Sequence, residues 1–209
     1  MRRPTETALR TRARTLLEAM TTRSRWIYAV PRDDGPAAVR AVALAEGLRC
    51  TEEDAAAGTA TFANEKGTAT LRTVDSSELE VLLVEASGDD APPMLGKILE
   101  QAGFYAQSTL LGTAFDVHDE EASSALGTLA HMVVAWDDPW RELFALHLAA
   151  ADAPVRRDAA AALVIAASAA RAPGPAPALL EEAIKREKDP ELKDALTAAL
   201  DRVRAGAPA

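Results

Sequence analysis

Three histidines and one cysteine stand in a chain of 209 residues. Acidic side chains gather around one histidine, in Asp116-Val117-His118-Asp119-Glu120-Glu121. Asp116, His118 and Glu120, joined by His131, are donor types that suit zinc or iron. The same run also reads as the end of one element and the start of a helix, where negative charge is favourable. No HExxH or other two-histidine motif occurs, so the second reading is preferred. His147 lies in the apolar stretch Leu143–Leu148 and reads as a packed or helix-surface histidine. Cys50 precedes Thr51-Glu52-Glu53-Asp54, and neighbouring acids disfavour the thiolate that a nucleophile needs. Gly58 and Gly67 bracket a turn with no phosphate-loop lysine after them, and no GxSxG elbow is present. These residues predict no cofactor and no metal, and a protein that is not an enzyme.

The elements that position these residues follow from hydrophobic spacing. Leu9, Ala13, Leu16, Leu17 and Met20 recur at helical intervals in Thr5–Met20, with Arg10, Arg12 and Arg14 elsewhere on the wheel. Arg25–Val30 is a β-prone run stopped by Pro31. Asp33-Asp34-Gly35-Pro36 opens a helix over Ala37–Glu46, and Gly47 closes it. Gly58–Ala63 and Thr68–Val74 flank the hairpin turn Asn64-Glu65-Lys66-Gly67, and Glu78–Glu85 follows as a third strand of an antiparallel meander. Asp89-Asp90-Ala91-Pro92-Pro93 starts a helix over Met94–Ala102. Ser108–Val117 reads as a strand and Asp119–Ala135 as a helix. The fold class is α+β: a small, largely antiparallel sheet with helices over 25–135, then an all-α region over 136–204. Residues 1–24 form a basic arm and 205–209 a frayed tail.

Composition agrees with this division. Alanine supplies 47 of the 209 residues, which favours helices that approach closely. Aromatic residues are 4% and the net charge is -9. An acidic chain lacks the basic face that phosphate contacts require, so nucleic acid is an unfavoured partner. The exception is the arginine-rich start, from Arg2 to Arg25. No apolar core follows it, as a secretory signal would need, and no stretch of about 18 apolar residues occurs. With a single cysteine, the chain reads as cytoplasmic.

The all-α region repeats. Asp152-Ala153-Pro154-Val155-Arg156-Arg157 and the residues to Leu163 align with Asp189-Pro190-Glu191-Leu192-Lys193-Asp194 and the residues to Leu200. Each block opens with Asp and Pro, then a branched apolar and a basic residue, then small residues. A period of this size signals stacked helical pairs. The four helices are placed at 139–150, 154–170, 176–187 and 190–204. This pattern resembles short HEAT-like repeats of the kind seen in phycobilisome-lyase-type proteins, in about the last third of the chain. It departs from them in a proline one place late in the first block and in the stiff linker Arg171–Pro177. Two repeats are too few to stand alone, and Asp119–Ala135 could add a packed helix. Trp136 and Trp140 would anchor the join. The order of elements before residue 136 is distantly similar to the small α+β domains of secretion-chaperone-like proteins.

The HEAT-like resemblance implies binding. The expected function is a non-enzymatic adaptor that docks another protein through its HEAT-like helices and an acidic α+β body. An acidic body suits a basic partner, and the specific versions are an inhibitor or immunity-type protein or a secretion chaperone. Trp140, Arg156, Arg157, Lys185, Arg186, Lys193 and Asp194 are its candidate partner-binding residues. Bilin chemistry, a rarer use within that group, has no supporting residues here. The alternatives are a small metal-dependent enzyme using Asp116–Glu121, or a nucleic-acid-associated protein using the arginine arm.

Overall fold

The computed structural model describes residues 25–206. The expected basic arm over 1–24 therefore lies outside the described residues, as does 207–209. The chain divides between Ala106 and Gln107 into two compact units. The boundary expected at 135/136 falls inside the second of these units, where the segment after Ala106 packs with the helices that follow it.

The first unit is an antiparallel sheet with two helices. Its strands are β1 (Arg25–Pro31), β2 (Arg49–Asp54), β3 (Thr59–Ala63), β4 (Thr70–Ser76) and β5 (Val81–Ser87), and its helices are α1 (Gly35–Ala45) and α2 (Ala91–Ala102). The spatial order is β1-β5-β4-β3-β2, every pair antiparallel. The expected meander is therefore present. Gly67 takes φ 68 at the expected hairpin, where the Asn64 side-chain oxygen accepts from the Thr68 amide at 2.9 Å. Alternate strand residues supply one core: Val30, Phe62, Leu71, Leu82, Val84 and Ala86 pack with Val39 and Val42 of α1 and Met94, Leu95 and Ile98 of α2.

β2 has no apolar alternation. All six of its residues are exposed, and a bulge between Cys50 and Glu52 interrupts its register. Sequence reading missed it because only pairing with β3 makes it a strand. Charge and a bulge on an outermost strand are common protections against unwanted pairing. At the opposite edge the Tyr105 amide donates to the Ala29 carbonyl at 2.9 Å.

The second unit is helical: α3 (Gln107–Phe115), α4 (Ala122–His131), α5 (Asp138–Leu148), α6 (Ala153–Ala169), α7 (Ala176–Arg186) and α8 (Pro190–Ala205). The strand expected at Ser108–Val117 is corrected to helix α3. Its buried residues are Leu111 and Ala114, spaced three apart, as a helix requires. The run is too short for periodicity to separate strand from buried helix. The expected helix 119–135 is shorter at both ends, and α8 keeps its last turn to Ala205, closed by Gly206 at φ 63. Ala205 and Gly206 therefore belong to an ordered helix end rather than to a frayed tail.

These helices form three stacked hairpins. α3 pairs with α4, α5 with α6, and α7 with α8. First helices meet first helices (α3 on α5, α5 on α7), and second helices meet second helices (α4 on α6, α6 on α8). α6 touches neighbours on several sides, which explains its alanines. Ala159, Ala160, Ala162, Ala166 and Ala167 are buried together with Leu163 and Val164. Small side chains let these helices approach closely, and leucines on the neighbours fill the remaining space. Leu126, Leu143, Phe144, Leu180, Leu192 and Leu196 are buried.

Candidate interaction surface of the helical unit

Asp and Pro set the starts of the later helices. Asp189 accepts from the amides of Glu191 and Leu192 at 2.9 and 3.3 Å, and Asp137 accepts from the Trp140 amide at 3.4 Å. Such caps satisfy amides that the helix leaves without partners. Asp152, at the equivalent place before α6, makes no side-chain cap bond. An arginine organises that turn instead.

Arg156 spans two hairpins. Its Nε and Nη2 donate to both carboxylate oxygens of Glu187, at 2.8 and 3.3 Å. Its Nη1 donates to the carbonyls of Ala150 and Ala151, at 2.9 and 2.8 Å. The amides of Lys188 and Asp189 complete the cradle around Glu187, at 2.9 and 3.0 Å. The guanidinium hydrogen bond, followed by these backbone amides, holds the Glu187 carboxyl at about 2, well below its ordinary 4.5. Charge-assisted forks of this kind fix geometry strongly. Arg156 is therefore a clamp joining the end of α5, the start of α6 and the end of α7.

The other hairpin junction uses His147. Its ring is fully buried, and its Nε2–H donates to the Ala114 carbonyl at 2.6 Å. Nδ1 is buried without a protein partner. Burial pushes the imidazole below its ordinary range, outweighing the Ala114 bond and the nearby Asp158. Ala114 lies near the end of α3 and His147 near the end of α5, so these first helices end side by side. At the opposite end of the stack, Trp136 Nε1 donates to the Ala172 carbonyl at 2.9 Å. Its indole packs where a Cβ on Gly174 would stand 2.1 Å away.

The three within-hairpin turns, 116–121, 149–152 and 187–189, therefore share one edge. Of the residues singled out from sequence, Arg157, Lys185, Arg186, Lys193 and Asp194 are exposed beside the second and third turns. Arg186 forms an ion pair with Glu182 at 3.6 Å. A cleft of about 330 Å³ opens there, lined by Leu148, Arg156, Ala183, Arg186, Glu187 and Lys188 among others. Trp140 does not join them. It is 2% exposed, so it is a core anchor and not a partner-binding side chain. Arg156 is likewise engaged inside the fold.

Asp116 and Asp119 accept from the amides of His118 and Glu121, at 3.4 and 2.9 Å. His131 ends α4, one whole helix from this turn. Among the described residues, no three His, Cys, Asp or Glu side chains are placed to hold a metal. Cys50 is exposed on β2, its thiol facing the Glu52 carbonyl at 3.5 Å. Sequence reading missed the roles of Glu187 and Gly174. An acid directly after a basic helix end, and a glycine between two prolines, were the available signals. Among the described residues no helix is long and apolar enough to cross a membrane. No known family, curated protein or solved structure matches the chain.

Proposed function

We propose that this protein is a non-enzymatic adaptor, acting in the cytoplasm, whose helical unit is a short HEAT-like stack that docks another protein along its turn edge. The observation that supports it is the like-on-like packing of three hairpins. Three is about the number at which such repeats become self-sufficient. The four helices read from the repeat are joined by α3 and α4 as the third pair. The outward side of the last hairpin is polar: Lys193, Asp194, Thr197 and Asp201 are exposed on α8, which suits a capping repeat.

Within this reading Arg156, Glu187 and His147 hold the turns in line. Arg157, Lys185, Arg186, Lys193 and Asp194 meet the partner and supply charge recognition at the rim. The test is capture from native lysate with the full chain and with a triple variant, Arg157→Glu, Lys185→Glu and Lys193→Glu, whose helical content is first verified by circular dichroism. A partner held in stoichiometric amount by the wild type and lost by the variant supports the reading. The same partner held equally by both overturns the turn edge as its docking surface.

A further inference from the structure

The sheet unit carries a separate feature. A cleft of about 170 Å³ lies between α1 and the β2–β3 end of the sheet. Its floor is apolar: Val39, Phe62 and Leu82 are at most 3% exposed. Its rim carries the carboxylates of Glu53, Asp54 and Asp75. One cation already stands at its mouth, half exposed. The Arg40 guanidinium lies 5.9 Å from the centre of the Phe62 ring and pairs with Glu53 at 2.5 Å. An aromatic face and a carboxylate together are what a guanidinium prefers.

The other two carboxylates are occupied differently. Asp75 is held by Arg32, at 2.7 and 3.2 Å. Asp54 uses one oxygen, Oδ1, for the amides of Ala56 and Ala57, at 2.9 and 3.0 Å. That leaves its second oxygen to meet a cation. Asp33 and Asp34, both exposed, lie just before α1. Acidic side chains outnumber basic ones across residues 25–106, and a field of that sign draws in basic partners. β2 runs beside the cleft as an exposed outer strand.

We infer that this cleft is a docking socket for an arginine side chain of a basic partner segment lying along β2, and that Arg40 occupies it in the partner's absence. The incoming guanidinium displaces Arg40 from its place beside Phe62 and pairs with Glu53 and Asp54. This surface is independent of the turn edge proposed above, and neither test bears on the other.

The experiment uses the full chain and a fluorescein-labelled peptide with arginines spaced by glycines, read by anisotropy at low ionic strength. Arg40→Ala empties the slot and should tighten binding by about fivefold, because no internal cation competes. Asp54→Asn keeps the turn hydrogen bonds through its side-chain carbonyl and should weaken binding by about tenfold. Asp89→Asn, the same charge change away from the cleft, should leave it within about twofold. Phe62→Leu should remove the preference for arginine over a matched lysine peptide, since the ring face is what distinguishes them. Unchanged affinity in Arg40→Ala overturns the proposal. So does equal weakening by Asp54→Asn and Asp89→Asn, or no binding by the wild type.

Discussion

Both units carry exposed ion pairs, Arg204–Glu181 in the helical one among them, but they differ in how polar groups join their elements. The sheet unit keeps several on its surface: Arg32–Asp75, Arg40–Glu53 and Arg49–Glu65 are substantially exposed. Its cohesion comes from strand pairing and one apolar core. The helical unit places polar groups inside its joins, with Glu187 at 6% side-chain exposure and His147 at none. Stacked hairpins share no hydrogen-bond ladder between repeats, so side chains must fix how one repeat sits on the next. The helical unit should therefore be the one that responds to pH and to single substitutions at its joins.

The sharpest way to break this comparison is at Trp140. Trp140→Ala should cost about 3–5 kcal/mol, the range for emptying a large aromatic core site. Denaturant unfolding, followed by hydrogen exchange to localise the loss to 107–206, measures it. A cost under about 1 kcal/mol would return Trp140 to the list of surface residues. Gly174→Ala comes next. Gly174 sits at φ 49, and the new Cβ would meet the Trp136 indole. Left-handed strain and overpacking together predict a loss of about 2–4 kcal/mol, whereas Gly47→Ala, with open space around it, should show the strain alone.

Acid should then separate the units in two steps. The folded His147 is held below its ordinary 6.5, so the unfolded chain binds the proton first. Stability of the helical unit falls as pH drops below about 6.5, and His147→Phe should flatten that step. His131, also pushed down by burial, adds to it. Glu187 is depressed from 4.5 to about 2. Its contribution is fully present above the unfolded value and is lost as pH falls from 4.5 towards 2. Arg156→Met should lower stability at neutral pH and shrink that second step. A pH profile identical to wild type in both variants would show that these groups do not govern the joins. The smallest effect is expected at the surface of the sheet unit. Arg49→Ala should change stability by less than about 1 kcal/mol, measured as a shift in denaturation midpoint.

Much of the architecture was legible from local signals. The Asn64–Gly67 hairpin and the proline-marked starts of α1, α2, α5, α6 and α8 each depend on turn chemistry or spacing within a few residues. The acidic run around His118 was legible only as a composition. Asp116 and Asp119 each turn one oxygen to a neighbouring amide, and His131 lies at the far end of its helix. Arg157, Lys185 and Lys193 are charged beside helix ends and are exposed, but Arg156 looks identical in sequence and is drawn, half-buried, into a clamp.

Sequence alone determined the α+β class, because apolar period and turn residues act over short ranges. It also determined the acidic balance. Tertiary structure alone decided that Gln107–Phe115 is a helix. With only Leu111 and Ala114 to bury, that segment takes its state from α4 and α5. Tertiary structure likewise made Arg49–Asp54 a strand, through a partner supplied by β3. It brought Arg156 to Glu187 and His147 to Ala114, since residues 31 and 33 apart meet only when stacked hairpins place successive turns on one edge.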